Sequence, residues 1–253
     1  MSKIERLLSS RARVAPGYYA LLPQEGRVEN VLPNLKKCRA SILASRKLGA
    51  GFASYIFKLE AEGGTTLPFG GENEIEMFLY VNEGTLSVEV EGERRSLKKG
   101  EYVYVPPGNT LEFQCHSVIG EAFLYKNHFR PLEEKMPWIV WGDTEKLEWS
   151  PCDGRDNLLC KNLLPSDITF DIGFHILLFK EGGCHSFVET HLQEHGAFVL
   201  QGQGMYLLDT TWTPVEKGDF IWMGSYVPQA AYGIGRGEFS YIFSKDCNRD
   251  IVV

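Results

Sequence analysis

Between Gly183 and Gly202 the chain reads Gly183-Cys-His-Ser-Phe-Val-Glu189-Thr-His191-Leu-Gln-Glu-His195-Gly-Ala-Phe-Val-Leu-Gln-Gly202, a concentration of carboxylate and imidazole donors. Both donor types bind divalent first-row metals. On an extended strand, residues two apart project to one face, so Glu189 and His191 are expected to point together into a core. His195 reaches the same point if the chain bends between them. Without a compensating ion, three ionisable groups aimed at a core would be costly, which makes metal binding the economical reading. The other four histidines, His116, His128, His175 and His185, read as hydrogen-bonded structural residues.

The elements that must position this cluster form a repeat. One copy runs Tyr55-Ile-Phe-Lys58, Phe78-Leu-Tyr-Val-Asn-Glu-Gly84, Lys99-Gly-Glu-Tyr-Val-Tyr-Val105 and Phe123-Leu-Tyr-Lys126. The second answers in the same order with Leu177-Leu-Phe-Lys180, Ala197-Phe-Val-Leu-Gln-Gly202, Lys217-Gly-Asp-Phe-Ile-Trp-Met223 and Tyr241-Ile-Phe-Ser-Lys245. Repetition on this scale marks a duplicated structural unit. Within a copy, residues alternate as strands do, as in Leu86-Ser-Val-Glu-Val90, and a Gly-containing turn follows at Glu91-Gly-Glu93. The expectation is an all-β chain of two jelly-roll barrels. Residues 1–40 are expected to form an N-terminal arm, 41–145 an N-terminal barrel without metal ligands, and 146–253 a C-terminal barrel with the metal and active site.

The cluster resembles the first cupin motif, Gly-x5-His-x-His-x3-Glu-x6-Gly, with Glu189 where the first His stands and His195 where the Glu stands. The second motif, Gly-x5-Pro-x-Gly-x2-His, lies over Gly218-Asp-Phe-Ile-Trp-Met-Gly224-Ser-Tyr226-Val-Pro-Gln229 and puts Gln229 in the fourth ligand position. The shell implied is Glu189, His191, His195 and Gln229. Aligned at Gly84 and Gly202, the first copy has Gly71, Asn73 and Met77 at the first-motif positions and Leu111 in place of Gln229, so its metal is expected to be lost. Its acidic run Glu72, Glu74 and Glu76 reads as a solvated loop.

Over essentially the whole chain the sequence resembles the ureidoglycine aminohydrolases. The likeness is sharpest at Glu189-Thr-His191-Leu-Gln-Glu-His195-Gly-Ala-Phe198, Gly224-Ser-Tyr226 with Gln229, and Tyr241-Ile-Phe-Ser-Lys245-Asp-Cys-Asn-Arg-Asp250. That resemblance implies hydrolysis of (S)-ureidoglycine to (S)-ureidoglycolate and ammonia in allantoin degradation, with one manganese per chain. It also implies substrate contacts from Glu189, Gln229, Tyr241 and Lys245, catalytic roles for Lys245 and Glu189, and a homo-oligomer. The spacing Tyr241, Phe243, Lys245 points Lys245 to the same strand face as Tyr241. Two rivals share the pattern: a bicupin dioxygenase, since such ligands also activate oxygen, and a non-catalytic ligand-binding cupin.

Composition bounds the partners. A net charge of −7 with dispersed Lys and Arg offers no footprint for nucleic acid or an anionic membrane, so a small-molecule substrate is expected. Charges at Lys3, Glu5 and Arg6 interrupt any apolar leader, and no apolar run reaches spanning length, from which a soluble cytoplasmic protein is expected. The six cysteines show no Cys-x-x-Cys spacing and read as reduced, buried thiols.

Overall fold

A computed structural model describes residues 11–132 and 134–251, whose regular secondary structure is almost entirely β-strand. The first ten residues, including the charged start of the expected arm, lie outside the described residues.

The N-terminal sheet has ten strands. Its main path runs Val140–Asp143, Glu101–Val105, Ile75–Glu83, Ile119–His128, Ala53–Thr65, Thr110–Cys115, Thr85–Val90 and Glu93–Lys98, with Leu35–Ala44 added on Ala53–Thr65 and Phe69–Gly70 on Thr110–Cys115. The C-terminal unit divides its strands between two sheets. Eight run in the order Arg13–Ala15, Tyr19–Leu22, Phe220–Met223, His195–Gln201, Phe239–Asp246, Ile172–Phe179, Arg155–Asn162 and Ser150–Cys152; a smaller sheet holds Thr211–Glu216, Gln203–Leu208 and Gln229–Ile234. Leu35–Ala44 crosses the arm boundary expected at residue 40.

The expected arm supplies an edge to the second unit, while the first unit completes its own. Tyr19–Leu22, from the expected arm, pairs antiparallel with Phe220–Met223 of the second unit. Val140–Asp143 pairs in the same manner with Glu101–Val105 of the first. Each unit thus has its own apolar interior, with Phe57, Met77, Leu111 and Phe113 in the first and Phe179, Val199, Tyr206 and Tyr241 in the second. A third cluster lies between them, where Phe78 stacks on Phe174 with ring centroids 3.8 Å apart and Phe123 meets Phe198 at 5.9 Å.

This buried junction corrects the reading of Glu76. Glu72 and Glu74 are exposed, but Glu76 is fully buried on the strand Ile75–Glu83, where its carboxylate accepts from Tyr104 Oη at 2.6 Å and Asn127 Nδ2 at 2.8 Å. Both faces of that strand are covered, so alternate residues are buried alike. The cysteine reading also needs correction. All six are free, but only Cys38 and Cys115 are fully buried; Cys152, Cys160, Cys184 and Cys247 are half-buried. No helix among the described residues is long and apolar enough to cross a membrane.

Candidate active site

Three stretches of backbone bring the cluster together. His195 opens a central strand, paired with Met223 on one side and Lys245 on the other. Glu189 lies in the connection before that strand, and exchanges backbone hydrogen bonds with Gln229 at 2.8 and 2.9 Å. Residues 189–191 form no continuous strand, in contrast to the expected one; isolated bridges hold the segment instead. Tyr226 is the pivot, in the left-handed region at φ 63° that side chains other than glycine seldom adopt. Its N–H donates to His191 O at 2.7 Å, and its carbonyl accepts from Thr190 Oγ1 at 3.0 Å, so the turn that delivers Gln229 also fixes His191.

The two imidazoles face one another. His195 Nε2 and His191 Nε2 are 3.1 Å apart, while each Nδ1 lies beside a carbonyl, Ser244 O at 3.0 Å and Gln193 O at 3.1 Å. A carbonyl only accepts, so both Nδ1 atoms carry the hydrogens and both Nε2 atoms present lone pairs. Burial pushes His195 down to about 3 and also lowers His191, with Lys245 adding to both shifts, so neither ring takes up a proton at neutral pH. Facing lone pairs with no hydrogen between them fit a cation. Two nitrogens bound at right angles about 2.1 Å from one ion would be about 3.0 Å apart.

The other donors are close by. Glu189 Oε2 is 3.9 Å from His191 Nε2, and Gln229 Nε2 is 3.1 Å from the same nitrogen. Tyr206 Oη donates to Gln229 Oε1 at 3.4 Å. Coordination through the Gln229 oxygen therefore calls for its amide to turn so that oxygen and nitrogen exchange places. Among the described residues, no three His, Cys, Asp or Glu side chains stand together as a group that could hold a metal ion. Of the expected shell, the structure brings the two imidazoles face to face and sets Glu189 and Gln229 beside His191.

Glu189, His195, Gln229, Tyr241 and Lys245 line a cavity of about 290 Å³, and His191 touches it through His195 and Gln229. Lys245 Nζ has no ion pair or hydrogen bond there, which leaves a free ammonium on the wall. A larger groove of about 1130 Å³ runs between the barrels, but none of these residues reaches it.

Three wall residues escaped sequence reasoning. His175 and His185, read as structural, both face the cavity, and Tyr206 joins them. His185 Nε2 is 3.3 Å from Tyr241 Oη, and its buried Nδ1 has no partner. No local signal marked either histidine: His175 reaches the cavity through cross-strand pairing, and residues 185–189 form no continuous strand.

The first barrel shows how such a site closes. Met77 pairs with Val105 and Lys126, as His195 pairs with Met223 and Lys245. Met77 and Leu111 are wholly buried, with Phe57, Phe69 and Phe113 stacked beside them at centroid distances of 5.6 to 6.3 Å. Apolar side chains fill the space that the second barrel keeps open and polar.

Comparison with known proteins gives the lineage. The cupin domain model matches residues 57–119. The (S)-ureidoglycine aminohydrolase of Escherichia coli K12 is 46% identical over 251 residues, which span 98% of this chain and 96% of that one. The chain belongs to the (S)-ureidoglycine aminohydrolase family. Its members are hydrolases, and this chain is one of them. The Arabidopsis thaliana (S)-ureidoglycine aminohydrolase is 28% identical, with 92% of this chain and 76% of that one covered. The crystal structure of protein Ylba from E. coli superposes over 100% of both chains with a TM-score of 0.89 and 43% identity. Two cupin barrels in one chain are thus a property of the fold as well as of the repeat.

Proposed function

We propose that the chain catalyses the manganese-dependent hydrolysis of (S)-ureidoglycine to (S)-ureidoglycolate and ammonia, a step in allantoin degradation, with one manganese held by Glu189, His191, His195 and Gln229. The observation that carries this reading is a facing pair of imidazoles, one of which, His195, lines the same cavity as an unpaired lysine. The reaction cleaves the bond between the central carbon and its amine, adds the oxygen of water and releases ammonia. When bound, the cation supplies Lewis acidity and a template for a ligand that carries amine, ureido and carboxylate groups on one carbon.

The remaining work falls to the side chains. Lys245, free of any carboxylate partner, grips the ligand carboxylate or moves a proton at its amine. Glu189 contributes to the metal shell and accepts from the ligand amine. Tyr241 and Gln229 orient the ureido group, and the apolar wall of Leu177, Met223 and Phe243 limits entry of bulk water. The N-terminal barrel serves as a scaffold, and the active protein is a cytoplasmic homo-oligomer.

The test supplies freshly made ureidoglycine under anaerobic conditions to protein loaded with manganese, and follows ammonia and ureidoglycolate together. Stoichiometric release of both is expected, and is abolished by chelation and restored by manganese. Turnover that requires oxygen would replace this reading with a dioxygenase, and binding without turnover would replace it with a ligand-binding cupin.

A further inference from the structure

His175 lies on the strand Ile172–Phe179, where it pairs with Phe243, and Gly173 on the same strand face pairs with Lys245. Its ring folds back over that glycine: a Cβ at Gly173 would come within 2.7 Å of His175 Nε2. Glycine therefore makes room for the imidazole beside the strand position of Lys245. The other ring nitrogen is tied down, with Nδ1 2.8 Å from Asn162 Oδ1. Cys160 Sγ donates to the same oxygen at 3.7 Å, so that oxygen accepts from both neighbours and the imidazole hydrogen sits on Nδ1. Nε2 is left with its lone pair on the wall of the cavity that also holds the free Lys245 ammonium. Burial and the charge of Lys245 keep the ring neutral, and it packs on Phe243 at a centroid distance of 5.1 Å.

We propose that His175 is a positioning residue for Lys245: its Nε2 accepts one ammonium hydrogen when a ligand draws the lysine inward, and so directs the remaining N–H groups at the ligand. Asn162 fixes the tautomer that makes this possible, in the way a third group orients a catalytic imidazole. The inference rests on the reading of Lys245 given under Proposed function.

The experiment compares wild type, His175→Phe, His175→Gln, Lys245→Met and the double variant His175→Phe/Lys245→Met, all loaded with manganese. The readouts are ammonia release and affinity for (S)-ureidoglycolate. His175→Phe keeps an aromatic ring against Phe243 but removes the acceptor, and is expected to lower kcat/KM by roughly tenfold to a hundredfold, the scale of a misplaced catalytic group. His175→Gln restores an acceptor and is expected to recover most of that loss. The phenylalanine is expected to add nothing in the Lys245→Met background, since both changes remove one interaction. If His175 only packs the core, the order reverses: phenylalanine matches wild type and glutamine is the poorer variant. That reversal, or full additivity in the double variant, would overturn the proposal. Should His175→Phe fail to fold, Asn162→Leu, on the exposed flank, frees Nδ1 and undergoes the same comparison. A wild type that releases no ammonia would sink the reading of the site itself, whereas an active wild type with the reversed order sinks only the role of His175.

Discussion

The carboxylate of Glu194 accepts the backbone N–H of Gly51 at 2.9 Å, so the residue just before His195 is tethered to the other barrel. Its second oxygen accepts from Trp222 Nε1 at 2.9 Å. One side chain therefore satisfies two donors from separate parts of the chain and fixes where the strand with His195 begins.

Glu194→Gln leaves one of those donors facing an NH2 group, and Glu194→Ala leaves both without a partner. Gly51 is open to water but Trp222 is buried, and an unpaired buried donor costs about 1–3 kcal/mol. Alanine is therefore expected to unfold at clearly lower urea than wild type, and glutamine, whose oxygen still accepts from Trp222, at only slightly lower urea. Metal affinity should fall by roughly tenfold, the scale of losing a group that orients a ligand. Urea denaturation and metal titration on the same proteins provide the check. Unchanged values in both would mean that the tether has no influence on the site.

His191→Ala and His195→Ala each remove one of the two facing lone pairs while the apolar interior stays intact. Bound metal is expected to fall from one per chain to near none, with far-ultraviolet circular dichroism unchanged. Metal analysis decides the outcome, and two metals per chain in wild type would overturn the assignment of the first barrel as metal-free.

Lys245→Met keeps an unbranched side chain of similar reach but loses the charge. Turnover is expected to fall by about a hundredfold or more, the usual scale for a positioned acid, base or charge, while metal content stays at the wild-type level. A rise in KM alone would assign Lys245 to ground-state grip on the carboxylate, and a fall in kcat to the transition state. Loss of metal would move Lys245 into the support of the coordination shell.

Burial pushes the Glu76 carboxyl well above its ordinary value of 4.5, and the neighbouring Asp171 acts in the same direction. A carboxyl with a higher pKa folded than unfolded favours the native state below the unfolded value, and that contribution is lost as pH rises through the raised folded value. Glu76→Gln cannot ionise. Its melting temperature, relative to wild type, is therefore expected to be higher near pH 8 than near pH 5. A difference independent of pH would show that Glu76 ionises as freely in the folded protein as in the unfolded one.

Much of this molecule could be read before any coordinates. The duplicated blocks around Gly84 and Gly202 announced two barrels, and the spacing of Glu189, His191 and His195 singled out the stretch in which two imidazoles face one another, because both signals are local. Register is not local. That Gly173 faces Lys245, and hence that His175 reaches the cavity, follows only from pairing between strands far apart in sequence. Glu76 misled for a related reason: alternation identifies a solvated face only when a sheet has one, and the strand Ile75–Glu83 is covered on both sides. The pairing of Tyr19–Leu22 with Phe220–Met223 was equally hidden, since four residues, Tyr-Ala-Leu-Leu, carry no mark of which edge they will complete.

That last pairing has a consequence for how the protein comes into being. The sheet containing His195 takes up Tyr19–Leu22, a strand made long before its partner Phe220–Met223. Until then the early strand has only Arg13–Ala15 to pair with, and contacts so distant in sequence are slow to form. The first barrel waits far less for its own edge, because Val140–Asp143 follows soon after the strands it completes. The first barrel can therefore assemble while the second is still being made, whereas the sheet that holds His195 is complete only when an early strand meets one made far later.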